Sequence, residues 1–436
     1  MKLVESQTNY ESSNADEMSL GHVNSTIQLF EGPIEISWRS DEGPWVKAEA
    51  SISMRLLPTP RVLIKVMNAP TTLSTLYTLS GLSTIRLPGG PGMKVQTLQI
   101  QFGENGTCLL KPYLQPVTST RTGAGLQSVR FSVLNFPSIS RYDRPATLQS
   151  EPWLIELRPH RNYPAVKETL KVEGGYGLTH VGLLRRCDNQ PFKAEDAENV
   201  LKVLYFFLSF ARGGNCGITG VVGTDDSGSK AWEQWGAYGT FPWFTVSSWL
   251  DHRHNNHEEL ALAFPGFMRK ISLGSYDIQD RVHTALYWYL RSNESNSPYS
   301  AIILTQAALE RLARDTLSEK EWEEIAGAER DKKRQALNKA IEQVCIDRKI
   351  PACCKNLRAA NYSDGPEALA KVRNDLVHAH ADENLSPDAL LEALNLGQWY
   401  TELLLLKKFG YQGNYANRMT YTYEGKWQPE VVPWAR

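Results

Sequence analysis

The stretch "SPYSAIILTQAALERLARDTL", residues 297–317, decides the fold class. Ser297 stands where a helix N-cap belongs and Pro298 at the first helical position, where its missing N–H costs nothing. The apolar residues that follow recur with a period near 3.6 rather than 2, which is the signature of an amphipathic helix. The same period starts at about residue 277, in "DRVHTALYWYLRS".

Downstream the helical pattern continues. In "SEKEWEEIA" (318–326), Ser318 and Glu321 make a capping box. In "RDKKRQALNKAIEQVCIDRK" (330–349), Leu337, Ile341, Val344 and Cys345 keep one face. The run "SPDALLEALNLGQWYTELLLLKKFG" (386–410) is stopped by Gly410. Residues 277–410 are therefore expected to form an all-α bundle, and the aromatic tail 411–436 a hairpin or strap turning at Glu424-Gly425.

Upstream the period changes to two. "RVLIKVM" (61–67), "VQTLQIQF" (95–102), "VRFSVLNF" (129–136) and "PWLIELRP" (152–159) alternate and are separated by Gly, Pro and Asn turns. A helix is expected from "PFKAEDAENV" to Gly213-Gly214, and strands again at "CGITGVVG" and "AWEQWGAYG" around an Asp225–Gly228 turn. The fold class is α+β: a β-rich, sandwich-like regulatory domain over 22–250, a polar arm over 1–21 and a solvated linker over 251–276.

Composition excludes several classes. The 436 residues suit two or three domains, and 42% hydrophobic against 22% charged residues is globular. With 47 Lys+Arg against 48 Asp+Glu, a nucleic acid would need a local patch rather than a general basic surface. The six cysteines form no CxxC pair, which suits free thiols in a reducing cytoplasm. The start of the chain has no signal-peptide core, and the apolar run "VLKVLYFFLSFA" is too short to span a bilayer, so a cytoplasmic protein with no membrane contact is expected.

The chemistry concentrates at "VRNDLVHAH", residues 372–380. At about 100° per residue, Leu369, Val372, Leu376 and Val377 share one side of a helix and Arg373 falls among them. A guanidinium cannot shed its charge, so a partner is expected opposite it: a carboxylate such as Glu310, a ligand phosphate or another subunit's polar groups. His378 lies about 140° further round, and could join Arg373 only if the helix ends or bends there or a second subunit supplies one of the two, and the following "AHADENLSPD" reads as a helix stop. His380 lies nearer the Arg373 face on a continued helix.

"RNDLVH" matches the R-x4-6-H motif of the HEPN superfamily, helical domains many of which are metal-independent ribonucleases. "YSAIILTQAALERLA" resembles its early helix, and the layout of a β-rich region before a bundle resembles the ApeA-type antiphage defence proteins. The resemblance implies a homodimeric endoribonuclease with no cofactor or metal, acting on RNA, with a trigger sensed through the N-terminal region. It implies that Arg373 binds the scissile phosphate, that Asn374 positions groups around it and that His378 carries protons, with His380 as the alternative. The rival expectation is a catalytically silent module that binds RNA or a protein.

Two other clusters carry less. His252, His254, His257 and Glu258 could supply metal ligands, but the stretch reads as solvated linker. The glycines at 213, 214, 217, 220 and 223 lack the Lys-Ser/Thr of a phosphate loop and read as turns.

Overall fold

The computed structural model describes residues 22–37, 45–67, 82–88, 92–102, 108–112, 117–120, 125–139, 145–237, 239–252, 256–273, 276–325, 329–378, 385–420 and 429–436. The arm expected over 1–21 and the turn expected at Glu424-Gly425 lie outside these residues.

The β-rich part is two sheets, not one sandwich. β1 (Thr26–Ser37), β2 (Val46–Arg55), β3 (Arg61–Met67), β4 (Leu82–Arg86), β5 (Gly92–Phe102) and β6 (Cys108–Pro112) close into a barrel in the order β1-β2-β3-β6-β5-β4. The alternation puts Ile34, Ile36, Ala50, Ile52, Ile64 and Val66 inside, and the register sets Ile52 opposite Ile64 and Ala50 opposite Val66. Closure removes the edges that a sandwich would have to protect.

The second sheet is seven-stranded and antiparallel. It is built from β7 (Val117–Thr120), β8 (Ser128–Leu134), β9 (Ala146–Ser150), β10 (Trp153–Pro159), β11 (Leu178–Arg186), β12 (Gly217–Thr224) and β13 (Lys230–Ala237), in the order β7-β13-β12-β8-β11-β10-β9. Two helices interrupt it, α1 (Tyr163–Glu173) and α2 (Ala194–Arg212), the latter ending at a left-handed Gly213 as the sequence indicates. Trp235 of β13 packs into the barrel interior, so the two sheets are joined through a buried indole.

The helices are α3 (Asn256–Leu273), α4 (Tyr276–Glu294), α5 (Pro298–Thr316), α6 (Glu319–Glu324), α7 (Glu329–Gln343), α8 (Lys355–Ala359), α9 (Gly365–Val377) and α10 (Pro387–Lys408). The capping box at Ser318 and Glu321 forms as expected. Cys345 does not join the buried face of α7: it lies past the helix end, exposed, at φ 58°.

The expected linker is also overturned, because most of it is α3. Leu260, Phe264 and Phe267 of that helix are buried, with Phe264 and Phe267 at 5.2 and 5.3 Å from the ring of Phe207 on α2. Phe267 meets Phe409 at 4.6 Å, and Phe210 meets Tyr289 of α4 at 5.8 Å. Each such ring contributes roughly 1.5–3 kcal/mol on burial. A single apolar core therefore runs from the second sheet through α2 and α3 into the bundle.

The tail closes on this core. β14 (Asn414–Tyr415) pairs antiparallel with β15 (Glu430–Val431), as a terminal hairpin requires. Glu259, in the first turn of α3, accepts from the Tyr411 hydroxyl and from the backbone and side chain of Asn414. Among the described residues no helix is long and apolar enough to cross a membrane.

Candidate functional site

α9 carries the motif. Asp364 caps it by accepting from the Glu367 N–H at 2.8 Å, and Pro366 enters in the first turn. Gly365, Leu369 and Val372 are buried, while Gly365 and Leu369 face Tyr400 and Gly397 of α10. The helix ends at Val377, and His378 turns out of it at φ −105° and ψ 129° with its N–H on the Asn374 carbonyl at 2.9 Å. The helix stop foreseen at this point is present.

The side chains are arranged as follows. Arg373 is half-buried, and its Nη1 donates to Asn374 Oδ1 at 3.2 Å. Among the described residues no carboxylate stands against it: Glu310 pairs instead with Lys333 at 3.3 Å and accepts from Gln306. The glutamate alternative thus gives way to an amide, which leaves most of the guanidinium fork for another acceptor. His378 is exposed. Val377, expected on the packed stripe, is 45% exposed because the helix terminates before its last turn is covered. His380 lies outside the described residues.

Glu367 anchors the outer face of the same helix. Hydrogen bonds from the Ser363 hydroxyl and N–H, with Lys371 beside them, hold its carboxyl down at about 2. It is therefore charged under all ordinary conditions, and its charge is already partnered by Lys371 at 3.4 Å.

Two of the histidines around the start of α3, His252 and His257, are among the described residues. His252 stands 3.4 Å from Ser248 Oγ and edge-on to Phe136, and His257 lies 3.8 Å from Glu258. Among the described residues no three His, Cys, Asp or Glu side chains group so as to hold a metal, and His254 is not among those residues.

Sequence reading missed three buried polar features, none of which has a local signature. The first is Arg212, 1% exposed, which donates to the Asn215 and Pro242 carbonyls while Glu294 accepts from the backbone and side chain of Asn215. The second is Arg418, which donates to Glu402 at 2.9 Å, Gln398 at 2.9 Å and Asn293 at 3.1 Å, and also to the Ser247 carbonyl.

The third is His180, 1% exposed between the rings of Phe136 and Tyr163 at 5.5 and 5.4 Å. Among the described residues neither ring nitrogen has a hydrogen-bond partner. Burial, aided by nearby His160, pushes the imidazole down to about 3. It is neutral in the fold, whereas an unfolded chain protonates it near pH 6.5, so its contribution is intact above that pH and is lost as pH falls toward 3. Stability should decline by about 1.4 kcal/mol per pH unit across that window from this group. Denaturant titrations of the parent and His180→Leu between pH 7 and 4 check this: the variant should show the shallower acid limb, and parallel curves would refute it.

Residues 122–246 match the family described as the YopA central domain, and residues 275–431 the family described as the YopA C-terminal domain. The first covers the second sheet from β8 to β13, and the second covers α4 to α10 and most of the tail. The chain is similar to the SPbeta prophage-derived uncharacterized protein YopA of Bacillus subtilis (strain 168), at 25% identity over 438 residues, covering 94% of this chain and 96% of that one. No solved structure matches the chain.

Proposed function

We propose that the chain is a metal-independent endoribonuclease of HEPN type, acting as a defence or toxin effector, with Arg373, Asn374 and His378 as its site. The observation that carries this reading is the end of α9. A half-buried guanidinium is oriented by the neighbouring amide at 3.2 Å, and the helix stops so that an exposed imidazole follows it. RNA supplies its own nucleophile in the 2′-hydroxyl, so cleavage needs proton transfer and stabilisation of phosphorane charge, and these two side chains are suited to both. The 140° between them on a regular helix is relieved in part by the break at His378, and a two-fold pairing of bundles would bring a second copy of each to one cleft.

The test is cleavage of total cellular RNA by the purified protein in EDTA. Products ending in 2′,3′-cyclic phosphate are expected, and strict Mg²⁺ dependence with 5′-phosphate ends would overturn the proposal. One observation favours a second reading, a silent module that binds RNA or a protein: Asn374 already occupies one donor of Arg373. That reading predicts RNA binding without cleavage in the same assay.

A further inference from the structure

We infer that the half-exposed aromatic cluster around Arg291 is a stacking surface for the unpaired bases of RNA, an inference that rests on reading the chain as RNA-acting. The guanidinium of Arg291 stands 5.4 Å from the ring centre of Tyr287 and 6.0 Å from that of Phe241. Its counter-ion Glu294 lies 3.3 Å away, yet the Glu294 side chain is 1% exposed against 43% for Arg291. The patch hides its anion and shows its cation, which complements a phosphodiester.

More rings continue the surface. Phe241 meets Phe244 at 5.6 Å and Tyr205 meets Phe206 at 5.0 Å, all four partly exposed, and Tyr287 is 49% exposed. Phe241 and Phe244 sit on an irregular segment that is nevertheless fixed. The Phe241 carbonyl accepts from Asn135 Nδ2 at 3.0 Å, its N–H donates to the Asn215 carbonyl, and Arg212 holds the Pro242 carbonyl at 3.1 Å. Rings held in place lose little entropy when a base stacks on them.

The placement suits a strand that also reaches α9. Ser292 meets Gln398 and Tyr289 meets Glu402, so α4 runs antiparallel to α10, and Gly365 beside Tyr400 with Leu369 beside Gly397 gives α9 the same sense as α4. By these pairings Arg291 lies level with the middle of α10 and the first turn of α9, and Arg373–His378 lie roughly 10–16 Å further along the bundle, a span of a few nucleotides. Aromatic faces accept any base, and duplex RNA keeps its bases stacked on one another, so the surface selects single strands.

The test is fluorescence anisotropy with a labelled 12-mer of 2′-O-methyl RNA, which lacks the nucleophile and stays intact, alongside cleavage of ordinary RNA. Tyr287→Ala and Phe241→Ala should each bind about tenfold more weakly than the parent, with Tyr287→Phe close to the parent and the duplex form of the oligomer bound less well. Tyr287 is exposed enough for its variant to fold should Phe241→Ala fail to. If the parent binds and cleaves RNA while the alanine variants bind equally well, the stacking surface is wrong and the RNA reading stands. If the parent neither binds the oligomer nor cleaves RNA, the RNA reading fails and the surface falls with it.

Discussion

His378→Ala is expected to lower RNA cleavage by about 10²–10⁴-fold, the range for loss of a proton-transferring side chain, while leaving the unfolding midpoint within about 2 °C of the parent. The imidazole is exposed beyond the last turn of α9, so its removal uncovers no core. Arg373→Ala should cost about 10²–10³-fold through lost stabilisation of phosphorane charge. Its hydrogen bond to Asn374 lies between neighbouring, partly exposed residues, so the stability penalty should stay below about 1 kcal/mol. Arg373→Lys keeps the charge without the planar fork and should recover only part of the activity. Mixing the two alanine variants extends the test, since a site composed across a two-fold pair would be intact once in each mixed dimer. Full activity in both alanine variants would move the chemistry away from α9 altogether.

Much of the secondary structure could be read from the sequence because burial imposes a period. β3 and β10 alternate where the chain alternates, whereas the second half of β8 is buried throughout, and α5 begins after Ser297 with Pro298 at its first position, where the sequence places them. Closure of the barrel could not be read in the same way. It depends on β3 pairing with β6 and β1 with β4, registers set by chain segments far apart in sequence.

α3 shows a different failure. Its first turn is polar, with Glu258 and Glu259 at the helix start where the dipole favours acids, and Pro265-Gly266 in mid-helix reads as a break. In the fold Gly266 serves a close approach: a Cβ there would stand 1.8 Å from the Phe409 carbonyl oxygen. That glycine is what allows α3 to pack against the end of α10.

At the candidate site the stop at His378 was legible from the polar run that follows it, whereas the surroundings of Arg373 were not. Whether a guanidinium meets Glu310 or a neighbouring amide is decided by where Lys333 of α7 reaches, and no local pattern encodes that.

Arg418→Met is expected to cost about 3–5 kcal/mol, because it strips the partner from a buried charge. Glu402 is 0% exposed, and burial already raises its pKa against the opposing pull of Arg418 and the Tyr289 hydroxyl. Without the guanidinium the carboxyl must either stay charged in an apolar interior or take up a proton. A carboxyl whose folded pKa is raised binds its proton more tightly than the unfolded chain does, so the variant should lose least near pH 4.5 and most as pH rises past neutrality. The damage should also spread, since Arg418 holds the Ser247 carbonyl and Asn293 as well as Gln398 and so binds the tail to α4, α10 and the segment before α3. Glu402→Gln combined with Arg418→Met removes both charges and should recover a large share of the loss, because the cost lies in the orphaned carboxylate rather than in the missing pair. Urea denaturation of the single and double variants at pH 5 and 8 measures this. A single-variant penalty that is independent of pH, or a double variant no better than the single, would mean that Arg418 acts by packing its stem and not by neutralising Glu402.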